Sequence, residues 1–210
     1  RGGTGIFHQR LSYREFRQVL QEDGTSQHRI RISNTGWPDP YQSGDLETIL
    51  PRSRRVLAPD FRASYYFSSL ISVEQSLPAN LFLTVSFDYN RGSKMRRRRN
   101  INAPLPGTIN DMTPDGIRPV PEEGDVLQLE SSGLSIHKNL RIRLRQRFSI
   151  FNINADYTGN IGHSDGDGRN TPANSYDLRG DWGRAGLTQT HNFSTSVNSR
   201  LPWDVYLTTV

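Results

Sequence analysis

The segment Leu81-Phe82-Leu83-Thr84-Val85-Ser86-Phe87-Asp88-Tyr89-Asn90 constrains the fold more than any other part of the chain. Leu81, Leu83, Val85, Phe87 and Tyr89 alternate with Phe82, Thr84, Ser86, Asp88 and Asn90. A period of two puts successive side chains on opposite sides of a β-strand. One face is apolar. The other holds an aspartate and an asparagine deep in the pattern, so it faces water. The segment is also about ten residues long, the length a tilted membrane-crossing strand needs.

The pattern recurs. Leu140, Ile142 and Leu144 alternate with Arg141, Arg143 and Arg145; Phe151, Ile153, Ala155 and Tyr157 with Asn152, Asn154, Asp156 and Thr158; Phe193, Thr195 and Val197 with Asn192, Ser194, Ser196 and Asn198. A weaker version sets Phe67, Ile71 and Val73 against Tyr66, Ser68, Ser72 and Glu74. These segments predict seven strands, at about 1–10, 60–76, 81–97, 134–146, 150–163, 184–199 and 204–210. Tyr13–Gln21 spaces Phe16, Val19 and Leu20 for a short loop helix. Tight turns are expected at Leu77–Asn80, Gln146–Ser149 and Arg200–Trp203, and long polar loops at 11–59, 98–133 and 164–183. Short turns at one end and long loops at the other are the asymmetry of outer-membrane barrels. Trp203 and Tyr65 fall near strand ends, where aromatic girdles sit.

Composition narrows the choice. Only 33% of the 210 residues are hydrophobic, thin for a soluble core, whereas 10% aromatic content argues against disorder. A barrel needs apolar residues only at alternate positions. No apolar run is long enough for a spanning helix, so any crossing is by strands closed into a barrel. The chain opens Arg1-Gly2-Gly3 without the apolar segment of an export signal. Together with the odd strand count, this leads us to expect one partial barrel domain over 1–210, about seven strands of a larger barrel, with no plug domain. Cysteine is absent, which excludes disulfides and thiolate chemistry. The net charge of +5 is a modest excess that favours anionic partners only weakly.

Most of that charge is clustered. Arg96, Arg97, Arg98 and Arg99 form a run whose guanidinium groups suit phosphate, sulfate or carboxylate. The alternatives are a solvated strand end or a rim contact to lipopolysaccharide phosphates. Nucleic acid is not expected, because interleaved aromatics and a reading helix are lacking. Arg141, Arg143 and Arg145 share the wet face, since each would cost roughly 2–4 kcal/mol facing lipid at the midplane. They would steer an anionic substrate, or pair with a plug or with barrel acids such as Glu74 and Asp88. Asp165-Gly166-Asp167-Gly168-Arg169-Asn170 departs from a calcium loop at the fifth, sixth and twelfth positions and reads as a polar turn. His8, His28, His137, His163 and His191 are scattered singly. No metal, cofactor or catalytic activity is expected. Prolines 104, 106, 114, 119 and 121 stiffen the loop 100–124, which either lines a mouth or covers the rim.

A resemblance extends the reading. It is carried by Arg99-Asn100-Ile101-Asn102-Ala103-Pro104-Leu105-Pro106-Gly107, then Arg118-Pro119-Val120-Pro121 and Glu130-Ser131-Ser132-Gly133-Leu134-Ser135. Thr171-Pro172-Ala173-Asn174-Ser175-Tyr176-Asp177-Leu178 and Trp182-Gly183-Arg184-Ala185 follow in the same order, and Gly5-Ile6-Phe7-His8-Gln9-Arg10 is similar to a strand of the same proteins. Together these resemble the C-terminal barrel of TonB-dependent receptors of the Oar-like type, over nearly the whole chain. The resemblance implies a barrel of about 22 strands with a plugged lumen. It also implies lipid and lipopolysaccharide as surroundings, and coupling to TonB through a plug that this chain does not contain. The competing expectations are an outer-membrane barrel with a structural or adhesive role, and a soluble β-sandwich binding module.

Overall fold

A computed structural model describes residues 1–25, 32–34, 36–39, 45–46, 53–166, 171–186 and 189–209. In chain order the strands are β1 (Gly2–His8), β2 (Ile32–Ser33), β3 (Asp45–Leu46), β4 (Arg54–Leu57), β5 (Tyr65–Leu77), β6 (Leu81–Asn100), β7 (Val126–Arg147), β8 (Phe151–Ser164), β9 (Gly183–Arg184), β10 (His191–Leu201) and β11 (Val205–Thr209). The helix α1 spans Tyr13–Gln21, as its spacing predicts, and Ser12 caps it by accepting the Arg14 N–H. Seven strands form an open antiparallel meander in the order β1-β5-β6-β7-β8-β10-β11.

The register fixes two chemically distinct faces. Residues paired directly across an antiparallel ladder share a face. One row runs Val73, Val85, Ile142, Tyr157, Phe193; the next towards the loops runs Ile71, Phe87, Leu140. The alternate row runs Glu74, Thr84, Arg143, Asp156, Ser194. Each strand therefore contributes to one apolar and one polar face, and the pairing adds the faces up without a slip.

Among the described residues, nothing covers the apolar face. Ile71 is 60% exposed and Phe193 69%, and the buried hydrophobic residues among those described are only Ala58 and Val126. The only other sheet among the described residues is the two-stranded β2–β3, too small to cover this face. This rules out the soluble sandwich, whose core is made where two inner faces meet. Along β6 the apolar parity runs from Leu81 to Tyr89 and ends where Arg91 and Lys138 take the same face. That is about nine residues, a band roughly 20–25 Å tall once the strands tilt.

The two edges differ as expected. Residues 78–80, 148–150 and Pro202–Asp204 make the three tight turns, all at one edge. They are tied to their neighbours: Arg147 N–H donates to the Asn80 carbonyl and Arg200 N–H to that of Ile150. Phe148 stacks on Phe151 there, with ring centres 4.4 Å apart, and Trp203 is exposed in the last turn. Residues 9–64, 101–125 and 165–190 connect strands at the opposite, loop edge, where β5 starts at Tyr65.

Several boundaries differ from the sequence reading. β7 begins at Val126 rather than 134, and β6 continues to Asn100, so the loop expected at 98–133 shrinks to 101–125. The reason is an irregularity. The β6–β7 register shifts between Ser93 and Met95 and again between Met95 and Arg97, and Lys94 has φ +53°. A bulge of this kind inserts residues into one strand and breaks its alternation. Gly133 accommodates it, because a Cβ there would lie 2.9 Å from both the Cβ and the carbonyl oxygen of Met95. Residues 60–64, 185–186 and 189–190 are not strand, and the segment 11–59 contains β2, β3 and β4. β4 pairs in parallel with Val126–Leu129 of β7, a stretch that β8 does not reach. The expected turns at Gln146–Ser149 and Arg200–Trp203 each begin one or two residues later, because β7 and β10 pair as far as Arg147 and Leu201.

The face assignment predicts an asymmetric mutational response. In the intact barrel in bilayers, Ile71→Arg should lower unfolding free energy by about 2–4 kcal/mol. Ser72→Arg, one residue away on the polar face, should change it by less than about 0.5 kcal/mol. Denaturant titration of both variants measures the difference.

Candidate functional site

Beyond Tyr89, β6 and β7 extend past the apolar band, and the arginine run sits in this extension, roughly 20 Å further along the strand. Arg97, Arg98 and Arg99 are therefore strand residues paired with β7, and Arg96 falls in the register shift between Met95 and Arg97. Arg97 is 4% exposed. Its guanidinium donates to a carboxylate oxygen of Asp165 at 2.7 Å and to that residue's carbonyl at 2.6 Å. Asp165 also accepts the Leu134 N–H at 2.7 Å, so this one acid joins β6, β7 and the end of β8. Arg99 donates to Glu130 at 2.9 Å, and the Ser132 hydroxyl donates to the same carboxylate at 2.6 Å.

Arg96, Arg97 and Arg98 line a cavity of about 1330 Å³, and Arg99 does not. Tyr66, Ser135, His137 and Ser164 line it too. By register these four belong to the polar face. The cavity therefore opens on the side of the sheet away from the apolar band. Across it, α1 presents Arg14, Gln18 and Val19, and the connection after β8 presents Asp181 and Arg184. The helix is held by β4: Arg55 donates to Glu22 at 2.6 Å and to Gln18 at 3.2 Å, while Phe16 meets Phe61 edge-on.

From the cavity the polar face of β7 descends through His137, Asn139, Arg141, Arg143, Arg145 and Arg147 to the turn edge. The wet-face placement of Arg141, Arg143 and Arg145 holds, and a barrel acid does pair with the row, but it is Asp156 and not Glu74 or Asp88. Arg143 donates to Asp156 at 2.6 Å and Arg145 to Asn154 at 3.2 Å. Glu74 is bonded by Arg1 at 3.1 Å. The partners come from β8, on the other side of β7, because Asp156 lies directly opposite Arg143. Arg141 lies between Ser86 and Thr158.

The proline-containing connection 101–125 contributes nothing to the described cavity lining. It is closed on itself by the buried Asn102, whose amide donates to the carbonyls of Val120, Glu123 and Gly124 and accepts the Val120 N–H. The Tyr176 hydroxyl donates to the Ala103 carbonyl at 2.6 Å, joining it to the next loop. In that loop the Arg179 side chain and backbone N–H bond Asp177, holding its carboxyl below the usual carboxylate value and raising Arg179.

Asp165 of the calcium-like segment is engaged by Arg97 and Leu134, and 167–170 lie outside the described residues, as does His28. His8, His163 and His191 fall on the apolar face parity, against Tyr65, Trp182 and Tyr157 respectively. Sequence reasoning missed Arg14, Arg55, Arg184 and His137 as cavity residues. None belongs to the arginine run or to an alternating segment read from the sequence, and the return of α1, β4 and the β8–β10 connection is what brings them together.

A family model for an outer membrane beta barrel domain matches residues 1–205, and the chain belongs to that family. Its place is the bacterial outer membrane. No curated protein and no solved structure matches the chain. In such barrels the short turns are periplasmic and the long loops extracellular, which puts the cavity at the outer mouth.

Replacing Arg97 by Met should leave Asp165 without its cation and cost about 3–5 kcal/mol at the loop edge. Limited proteolysis of the intact protein should then cut faster within 165–186.

Proposed function

We propose that this chain forms part of the wall of an outer-membrane receptor-transporter of the TonB-dependent, Oar-like kind, which takes up a substrate without transforming it. The observation that carries this reading is the continuity of the outer cavity with the polar face below it. A purely structural barrel requires an apolar exterior and a filled interior. It does not require a chamber of about 1330 Å³ whose arginine lining continues down the lumen side.

The topology supports a larger barrel around this section. Seven antiparallel strands leave β1 and β11 running in the same direction. They therefore cannot close on each other antiparallel, as the strands of up-and-down bacterial barrels do. Additional strands complete the wall, up to about 22 in plugged transporters. In this reading a plug domain elsewhere in the protein fills the lumen, meets part of the arginine face, and transmits the pull of TonB. Lipopolysaccharide surrounds the outer rim at the level of Arg91, Lys138 and Trp182, on the apolar side.

The complete reading frame should encode a plug and a short TonB-contacting segment. Deleting that segment should abolish accumulation of substrate in cells while leaving the barrel folded and surface binding intact. A reading frame with neither feature would exclude TonB-driven transport and leave a structural or adhesive barrel.

A further inference from the structure

We infer that the outward face at the top of the apolar band is a docking site for lipopolysaccharide, with Arg91 and Lys138 binding a phosphate of its lipid anchor. The inference rests on the outer-membrane placement of the barrel and deepens the receptor reading by giving the surrounding lipid a defined site. It does not need TonB coupling.

Register is the first argument. The upper limit of the band is the row Ser69, Tyr89, Lys138, Ile161, and the row above it is Phe67, Arg91, Ile136, His163. Residues paired across a ladder share a face, so both rows lie on the lipid side. That side stays outermost however many further strands complete the barrel. Arg91 is paired with Ile136, which makes Lys138 its diagonal neighbour on β7. Diagonal neighbours lie roughly 7–8 Å apart, so two long side chains can converge on one group. Neither cation has an ion-pair or hydrogen-bond partner among the described residues, and neither row contains an acid. Like charges so placed repel, and a shared anion removes the repulsion.

A groove and an asymmetry identify the carrier of that anion. Trp182, from the connection after β8, stacks on His163 with ring centres 6.0 Å apart. With Ile136, Lys138 and Ile161 these two rings line a groove of about 210 Å³. Ile161 and Trp182 are both exposed, so the groove opens towards lipid. An apolar floor beside an ammonium group suits a molecule whose acyl chains begin where its phosphate ends. At the turn edge the same face is different. Its last paired row is Leu77, Leu81, Gln146, Ile153, Val197, and the row before that, Gln75, Leu83, Leu144, Ala155, Thr195, is also uncharged. A general preference of cations for membrane interfaces would place them at both edges. In these rows they stand at the loop edge alone, which meets the outer leaflet. Lipopolysaccharide fills that leaflet and phospholipid the inner one. The lipid anchor of lipopolysaccharide carries phosphates on sugars directly above its acyl chains.

The test uses the full-length protein in detergent, with native mass spectrometry to measure retained lipid. The added lipids are lipid A, the same lipid A stripped of its phosphates by a phosphatase, and phosphatidylglycerol. Saturable retention of phosphorylated lipid A is expected, at least about tenfold tighter than that of either other lipid. The double substitution Arg91→Gln/Lys138→Gln changes two exposed positions and should weaken that retention at least about tenfold. Arg91→Lys/Lys138→Arg should stay within about threefold of the unaltered protein, since it keeps one guanidinium and one ammonium group at the site. The comparison of the three lipids on the unaltered protein decides the matter even where a variant fails to fold. Equal retention of dephosphorylated lipid A or of phosphatidylglycerol, or unchanged retention in a folded glutamine variant, would each overturn the inference. Lipid A binding without TonB-dependent uptake would leave the site standing and remove the transport reading; uptake with no preference for lipid A would do the reverse.

Discussion

The structure depends on backbone hydrogen bonding that must be complete within the sheet. In a bilayer there is no water to bond a spare N–H or C=O, and each unsatisfied group costs several kcal/mol. The ladders linking β1 through β11 answer that requirement at every internal strand, and the turn edge continues it through the bonds from Arg147 to Asn80 and from Arg200 to Ile150. A soluble protein of this size would combine its hydrogen bonds with a buried apolar interior. This chain buries two apolar side chains among the described residues, Ala58 and Val126, and both lie at the loop edge. Lipid does for Ile71, Phe87 and Phe193 what a core does elsewhere. Strand pairing is thus the condition on which the placement of every other residue rests.

That condition also explains why the site forms at the loop edge. Within the band, the alternation of side chains is strict, since a slip of one residue would turn Arg143 and Asp156 towards lipid. Above the band that penalty ends. β6 and β7 can carry the irregularity around Lys94 and Met95, and the freed edge of β7 at Val126–Leu129 can accept β4. β4 in turn anchors α1 through Arg55, and α1 roofs the cavity with Arg14 and Gln18. A register shift, a parallel strand of four residues and one short helix together convert a flat polar face into a chamber.

The same physics decides what was legible in the sequence. Period-two alternation is imposed by lipid, so the strands, their faces and the alternation of tight turns with long loops could be read between Leu81 and Asn90 and wherever that pattern recurred. α1 was legible because Phe16, Val19 and Leu20 keep helical spacing. The extension of β7 back to Val126 was not, because alternation changes phase across Ser132 and Gly133 once the strand leaves the band. The arginine run was visible as a cluster, but its division of labour was not. Arg97 depends on Asp165 and Arg99 on Glu130, and neither partner is close in sequence. Arg14 and Arg184 join Arg96 and Arg98 only through loop closure, which leaves no periodic trace.

The lumen-side arginines give the strongest reason to see more than a scaffold. Four of them, Arg141, Arg143, Arg145 and Arg147, occupy one face of one strand at spacings of roughly 7 Å, and like charges so placed repel. The fold itself does not need them. Elsewhere in the same rows the sheet places Ser72, Ser86, Thr84, Thr158, Ser194 and Ser196, with Glu74 and Phe82, and no other cation. Asp156 and Asn154 offset part of it at Arg143 and Arg145. A row of cations that the sheet could replace with serine suits the proposed receptor, in which negative charge reaches it from outside the sheet. A plug surface and a passing solute both meet that description. In the proposed receptor both would meet the same guanidinium groups, so a plug that pairs with the row at rest would have to yield it before any anionic solute could move inward.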